Sequence, residues 1–258
     1  MEINFSNKIS DKSSILLIIL NDYKKLLSSN YINNELKTFI SDFLGSIDLK
    51  KKVLNESLYY KNSKKGFLKI FFTKLSGNEK LVDFESLGGN FHTKLEYKSK
   101  QKVTVLLESF HSKEISYNEA LAAIASGFHL KNYSFRKFRT NARPIKNSID
   151  KLEFVSNEPK NVEKIFKEYE SIANGVFLTR DLVSEPANIL YPEQFVKDCL
   201  KLEKLGLKLE IFELPEVKTS KDRKWKASMR KASTTLELFA LLNEAGVVLD
   251  SAPSEPQG

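Results

Sequence analysis

The chain has 258 residues, 41% apolar and 29% charged, with 41 basic and 33 acidic side chains giving a formal net charge of +8. That composition excludes a wholly disordered chain and is enough for one good core or two modest ones. A single cysteine, Cys199, and three histidines, His92, His111 and His129, exclude an intrachain disulfide and a Cys/His zinc site.

The longest apolar run, Ile15 to Leu20, falls far short of the roughly 20 residues a membrane-spanning helix needs. The first residues lack the basic region, apolar stretch and small-residue cleavage site of a secretory leader. No membrane association is expected, and the expected location is the cytoplasm. The lysines are scattered along the chain and fall on the polar faces of predicted helices, so the basic excess reads as solvated surface before it reads as a nucleic-acid patch.

In chain order, the first part alternates short apolar runs with segments of helical period, the pattern of an α/β layer structure. Strands are predicted at Ile15 to Leu20, Phe67 to Phe72 and Val103 to Leu107. The intervals are long enough for helical crossovers, so at least part of the sheet should be parallel. The first crossover carries a helix over Asn34 to Leu44, with Leu36, Phe39, Ile40 and Phe43 on one stripe. The second reads Leu81, Phe84, Leu87, Phe91 and Leu95, interrupted by Gly88 and Gly89. Neither phosphate-binding glycine pattern, G-x-G-x-x-G or G-x-x-x-x-G-K-[ST], is present. The glycine pair is therefore read as a place of close helix packing.

Ser116 with Glu119 three residues later forms a capping box, and a helix should start there. Tyr117, Ala120, Leu121, Ile124, Ala125 and Phe128 follow the helical rhythm, and His129 at its end reads as a packing or capping residue. Lys131 to Lys146 interleaves Tyr133, Phe135 and Phe138 with Arg136, Lys137, Arg139, Arg143 and Lys146. Such a segment suits single-stranded nucleic acid, but a helix end that collects cations and buries its aromatics explains the same residues and is the favoured reading. A short strand is expected over Lys151 to Val155. Asn157 and Pro159 then open a long helix whose stripe runs Val162, Ile165, Phe166, Tyr169, Ile172, Ala173, Val176 and Phe177. A further helix begins near Pro192, burying Phe195, Val196, Cys199, Leu200 and Leu202. Gly206 should stop it, and Leu207, Leu209 and Ile211 should alternate in a half-buried strand.

Two segments carry a resemblance. Ala122 to Phe135, AAIASGFHLKNYSF, is similar to a small-residue helix ending in G-x-x-L-x-x-Y-x-F. Thr179 to Pro192, TRDLVSEPANILYP, resembles the signature R-D-L-x-N-x-P-A-N-x-x-x-P, with Ser184 where asparagine is usual. Both patterns are those of the leucyl aminopeptidase family, which the chain resembles over roughly residues 1 to 213. Read locally, Pro186 and Pro192 force turns around Asn188, whose side chain can satisfy nearby backbone groups.

The resemblance implies a mixed, partly parallel α/β sheet flanked by helices over residues 1–156. It further implies a linking helix with the first helix and strand of a truncated catalytic domain over 157–213. The family releases N-terminal amino acids from peptides, using two divalent metals, zinc or manganese, held by a G-K-G-rich strand and an N-T-D-A-E-G-R segment. Neither motif occurs among these residues. The metal pair supplies the reaction itself, so the chain is expected to be truncated and inactive alone, with no cofactor of its own. No catalytic, cofactor-binding or metal-ligating residue is assigned. Asp181 and Glu185 share helical spacing, but Pro186 breaks the geometry, and Cys199 falls on an apolar helix face. The family assembles as hexamers, which suggests intact aminopeptidase subunits as partners. The alternative is a basic DNA-binding or regulatory module.

After Glu213 the composition changes: residues 216–258 contain no isoleucine and a single asparagine, Asn243. Lys218 to Lys231 holds seven basic residues against Asp222, with Trp225 among them. Residues 214–258 are therefore expected to be a divergent tail, basic and then disordered by composition, following an interruption of the original reading frame.

Overall fold

The computed structural model describes residues 1–10, 13–22, 29–45, 57–62, 66–95, 101–108, 110–138, 149–209 and 211. It divides into two compact units, Met1–Phe177 and the residues from Leu178 onward. The divergent tail expected over 214–258 lies outside the described residues.

Six strands make one sheet in the first unit: β1 (Glu2–Ser6), β2 (Ile15–Leu20), β3 (Ser57–Asn62), β4 (Gly66–Lys74), β5 (Gln101–Glu108) and β6 (Ile149–Val155), in the order β1-β6-β5-β2-β4-β3. Every pair is parallel except β3 with β4, an antiparallel edge. β2 lies at the centre, with Ile15 level with Val103 on one side and Lys69 on the other. All six of its residues are buried, as a parallel strand covered on both faces requires.

Because side chains alternate across a strand, β2 feeds two cores. Ile15, Leu17 and Ile19 join Val103, Val105 and Leu107 under helices α2 (Leu81–Lys94), α3 (Tyr117–Lys131) and α4 (Pro159–Ser184). Leu16, Ile18 and Leu20 join Ile70, Phe72 and Leu106 under α1 (Asn34–Gly45). The Asn33 side chain accepts the Leu36 amide at 2.9 Å to start α1, which then buries Leu36 and Ile40 as its stripe predicts.

α2 corrects two expectations. It runs through Gly88 and Gly89 without interruption, and Leu81 is exposed because it sits in the first turn, ahead of the buried positions Phe84, Gly88 and Phe91. The close-packing reading of Gly88 holds. A Cβ there would stand 2.1 Å from the Ile124 carbonyl oxygen of α3, and one on Gly127 would stand 1.8 Å from that of Glu85 on α2. The two backbones touch at this crossing, and only hydrogen fits between them.

The capping box at α3 is present: the Ser116 hydroxyl accepts the Glu119 amide at 3.2 Å while the Glu119 carboxylate accepts the Ser116 amide at 2.8 Å. Ala120 to Phe128 are then all buried, so the helix is enclosed on every side rather than on one stripe. α4 extends to 26 residues. Val162, Phe166 and Ala173 are buried, but Ile172 is 66% exposed. It sits about 100° around the helix from Ala173, which turns it away from the seated face.

In the second unit, α5 (Pro192–Leu200) opens with proline in its first turn and passes into a 3-10 turn, Lys201–Leu205, which Gly206 ends with φ 88°. Neither element has a buried residue, against the expectation for Phe195, Val196, Cys199, Leu200 and Leu202. Leu207, Leu209 and Ile211 are exposed and lie in no strand. Among the described residues they pair with no strand, and alternation alone does not make one.

Candidate functional site

In an open parallel sheet, ligands use the crevice beyond the carboxyl ends of the strands where the crossovers diverge. Here that is the end of β2 and β5, since α1 covers one face and α3 the other. Glu108 ends β5 and accepts a hydrogen bond from the buried Ser29 hydroxyl, which itself accepts the Tyr31 amide at 3.2 Å. The Tyr31 phenol donates to the Asn157 side chain. The Tyr117 phenol reaches the carbonyls of Leu107 at 3.0 Å and Val155 at 3.2 Å. Burial pushes the Glu108 carboxyl up, against the pull of the Ser29 bond and the Lys37 charge. Burial, with Tyr31 and Glu108 nearby, pushes the Tyr117 phenol far above its ordinary range. These groups spend their hydrogen-bonding capacity on one another and on strand carbonyls. The arrangement braces the ends of β5 and β6 and offers no activated nucleophile.

A second polar cluster borders the α2–α3 crossing. The Ser126 hydroxyl donates to Glu85 at 3.2 Å, and His92 Nε2 lies 3.4 Å from Asn132 Oδ1. Burial holds the His92 imidazole below the usual histidine range, with the Asn132 contact opposing it. His129, at the end of α3, packs against Phe166 and Phe177, which agrees with a packing role.

Of the basic and aromatic segment, Arg139, Arg143 and Lys146 lie outside the described residues. Tyr133 stacks on Phe177 at 5.2 Å, so its ring serves packing rather than a base. Phe135 and Phe138 lie 5.8 Å apart, with the Lys137 ammonium 5.5 Å over Phe138. Asp181 is exposed on α4, and Glu185 follows the helix end, its amide on the Leu182 carbonyl at 3.3 Å. Pro186 accepts the amides of Ile189 at 2.8 Å and Leu190 at 2.9 Å, closing the turn before Pro192. Asn188 is exposed. Cys199 is half-buried, and burial with Asp198 nearby pushes its thiol up, away from the thiolate a nucleophile needs.

Among the described residues no group of three or more His, Cys, Asp or Glu side chains is placed to hold a metal ion, so they do not fit the pair of divalent cations that the resemblance implies. Among the same residues no helix is long and apolar enough to cross a membrane.

Comparison with known proteins places these observations. Residues 76–142 match the model of the cytosol aminopeptidase family, N-terminal domain, a span that contains α2, β5 and α3. A probable cytosol aminopeptidase of Bradyrhizobium is 32% identical over 152 residues, 58% of this chain and 30% of the relative. Another, from Rhizobium leguminosarum bv. trifolii, is 37% identical over 102 residues, 38% of this chain and 21% of the relative. The chain thus spans under a third of the length of these relatives. A tomato leucine aminopeptidase mutant superposes with a TM-score of 0.55 at 19% identity, over 80% of this chain and 42% of that one. The bottromycin maturation enzyme BotP, in complex with Mn, gives 0.52 at 13% identity, over 84% and 41%. At these identities the likeness to solved structures shows the fold.

Proposed function

We propose, from the match of residues 76–142 to the N-terminal domain of the cytosol aminopeptidase family and the 32% identity over 152 residues to a probable cytosol aminopeptidase, that the chain is a non-catalytic module of that kind of peptidase. Residues 1–156 supply the N-terminal α/β domain. Residues 157–213 supply the linking helix and the entry to a catalytic domain, and 214–258 form a divergent tail. The activity of whole relatives, release of N-terminal amino acids from peptides, is then reached only together with the metal-holding G-K-G-rich and N-T-D-A-E-G-R motifs, which do not occur in this sequence. Intact aminopeptidase subunits are the natural partner, and the cytoplasm the natural location.

One observation supports this reading above the others. The family match falls on the helix pair whose backbones meet at Gly88 and Gly127, so the matched residues are those that build the domain's core rather than a reaction centre. A basic nucleic-acid module gains no comparable support, because Tyr133 is committed to Phe177.

Leucine-p-nitroanilide hydrolysis with added manganese or zinc tests the proposal. The purified chain should give no turnover above a metal-only blank. Metal-dependent release of p-nitroaniline in proportion to protein would overturn it.

A further inference from the structure

His129 lies in the last turn of α3, where a helix dipole ordinarily favours a positive charge. The residue is half-buried instead. Its centroid lies 5.1 Å from that of Phe177 at an interplanar angle of 57°, and 6.2 Å from that of Phe166 at 76°. Both phenylalanines belong to α4, and Phe177 stacks in turn on Tyr133. The Nε2 atom is buried and has no hydrogen-bond partner among the described residues. A neutral imidazole can leave that nitrogen as a bare acceptor, whereas an imidazolium must carry a proton on both nitrogens. A buried donor with no acceptor gives up its hydration and receives nothing in return.

We propose that His129 is a pH-sensitive latch between α3 and α4: the neutral ring is seated against Phe166 and Phe177, and the protonated ring loses that seat, loosening the hold on residues 159–177. Two charged groups act on it from the surrounding elements. Glu170 on α4 favours the imidazolium, and the Met1 ammonium ahead of β1 disfavours it. Burial outweighs both and holds the imidazole below the usual histidine range. Attraction of a cation to aromatic faces works against the latch, and the titration below reads the balance. His92 is the internal contrast, since its Nε2 has the Asn132 oxygen nearby.

The sign follows from proton uptake. Below the ordinary histidine value of about 6.5 the unfolded chain binds a proton at position 129 that the folded chain resists. The contribution to stability is therefore whole above that value and declines as pH falls from it toward the lower folded value.

Two measurements on the full 258-residue chain test the latch. In an NMR titration the His129 ring should show a midpoint below about 6.5, with the Phe166 and Phe177 ring resonances moving along the same curve. A midpoint at or above that value, or phenylalanine signals that do not follow it, overturns the proposal. In urea denaturation, the folded-to-unfolded ratio should fall at least about threefold further between pH 7.5 and 5.5 in the natural chain than in His129→Phe. An equal fall in the natural chain and in His129→Phe overturns it, and the titration decides the matter alone if that variant does not fold.

Discussion

The region up to Phe177 and the residues from Leu178 to Ile211 both carry apolar side chains at helical spacing, yet they meet opposite fates. In the first, Val162 and Phe166 of α4 are 0% and 5% exposed, seated on a core that β2, β5 and β6 share. In the second, α5 and the following 3-10 turn bury nothing, and Leu205 is 78% exposed. An amphipathic stripe states which face of a helix will be covered if something covers it. Whether it is covered is decided by the rest of the fold, because helices of this length take most of their stability from tertiary packing.

Substitutions can break or sharpen this contrast. The largest effect is expected at Gly127→Ala, whose new methyl would meet the Glu85 carbonyl oxygen at 1.8 Å. A backbone atom cannot turn aside as a side chain can, so a loss of about 3 kcal/mol or more is expected in urea denaturation. A variant as stable as the natural chain would show that α2 and α3 do not meet as described. Ser116→Ala removes one half of a capping box on an exposed helix start and should cost about 1 kcal/mol, with Ser116→Asp recovering most of it. A variant equal to the natural chain in thermal unfolding would deny the cap any part in stability. The smallest effect is expected at Leu205→Ser, within about 0.5 kcal/mol of the natural chain, because no packing is lost. A loss of several times that figure would mean that Leu205 is covered in solution.

Much of the first region is legible in the sequence. Ile15 to Leu20 reads as a strand from its unbroken apolar run, and the Ser116–Glu119 box places the start of α3. The edge strands β1 and β3 are not legible, since Glu2–Ser6 and Ser57–Asn62 are short and mixed in character. They become strands by pairing with β6 and β4, relations between distant or still unplaced segments. The glycine pair signals close packing, but not that Gly127 of the partner helix answers Gly88 from the other side. Of the candidate site, the turn between Pro186 and Pro192 can be read locally. The Glu108 brace and the His129 seat cannot, because each joins residues distant in the chain that only the fold brings together.

Native-state hydrogen exchange with residue resolution tests the central claim most directly, that one cooperative core ends near Phe177. Amides in β2, β5 and α3 should exchange only through global unfolding, with a common free energy and urea dependence. Those of α5 should exchange through local opening at far lower cost. Protection of α5 equal to that of α3, sharing the same urea dependence, would contradict the account.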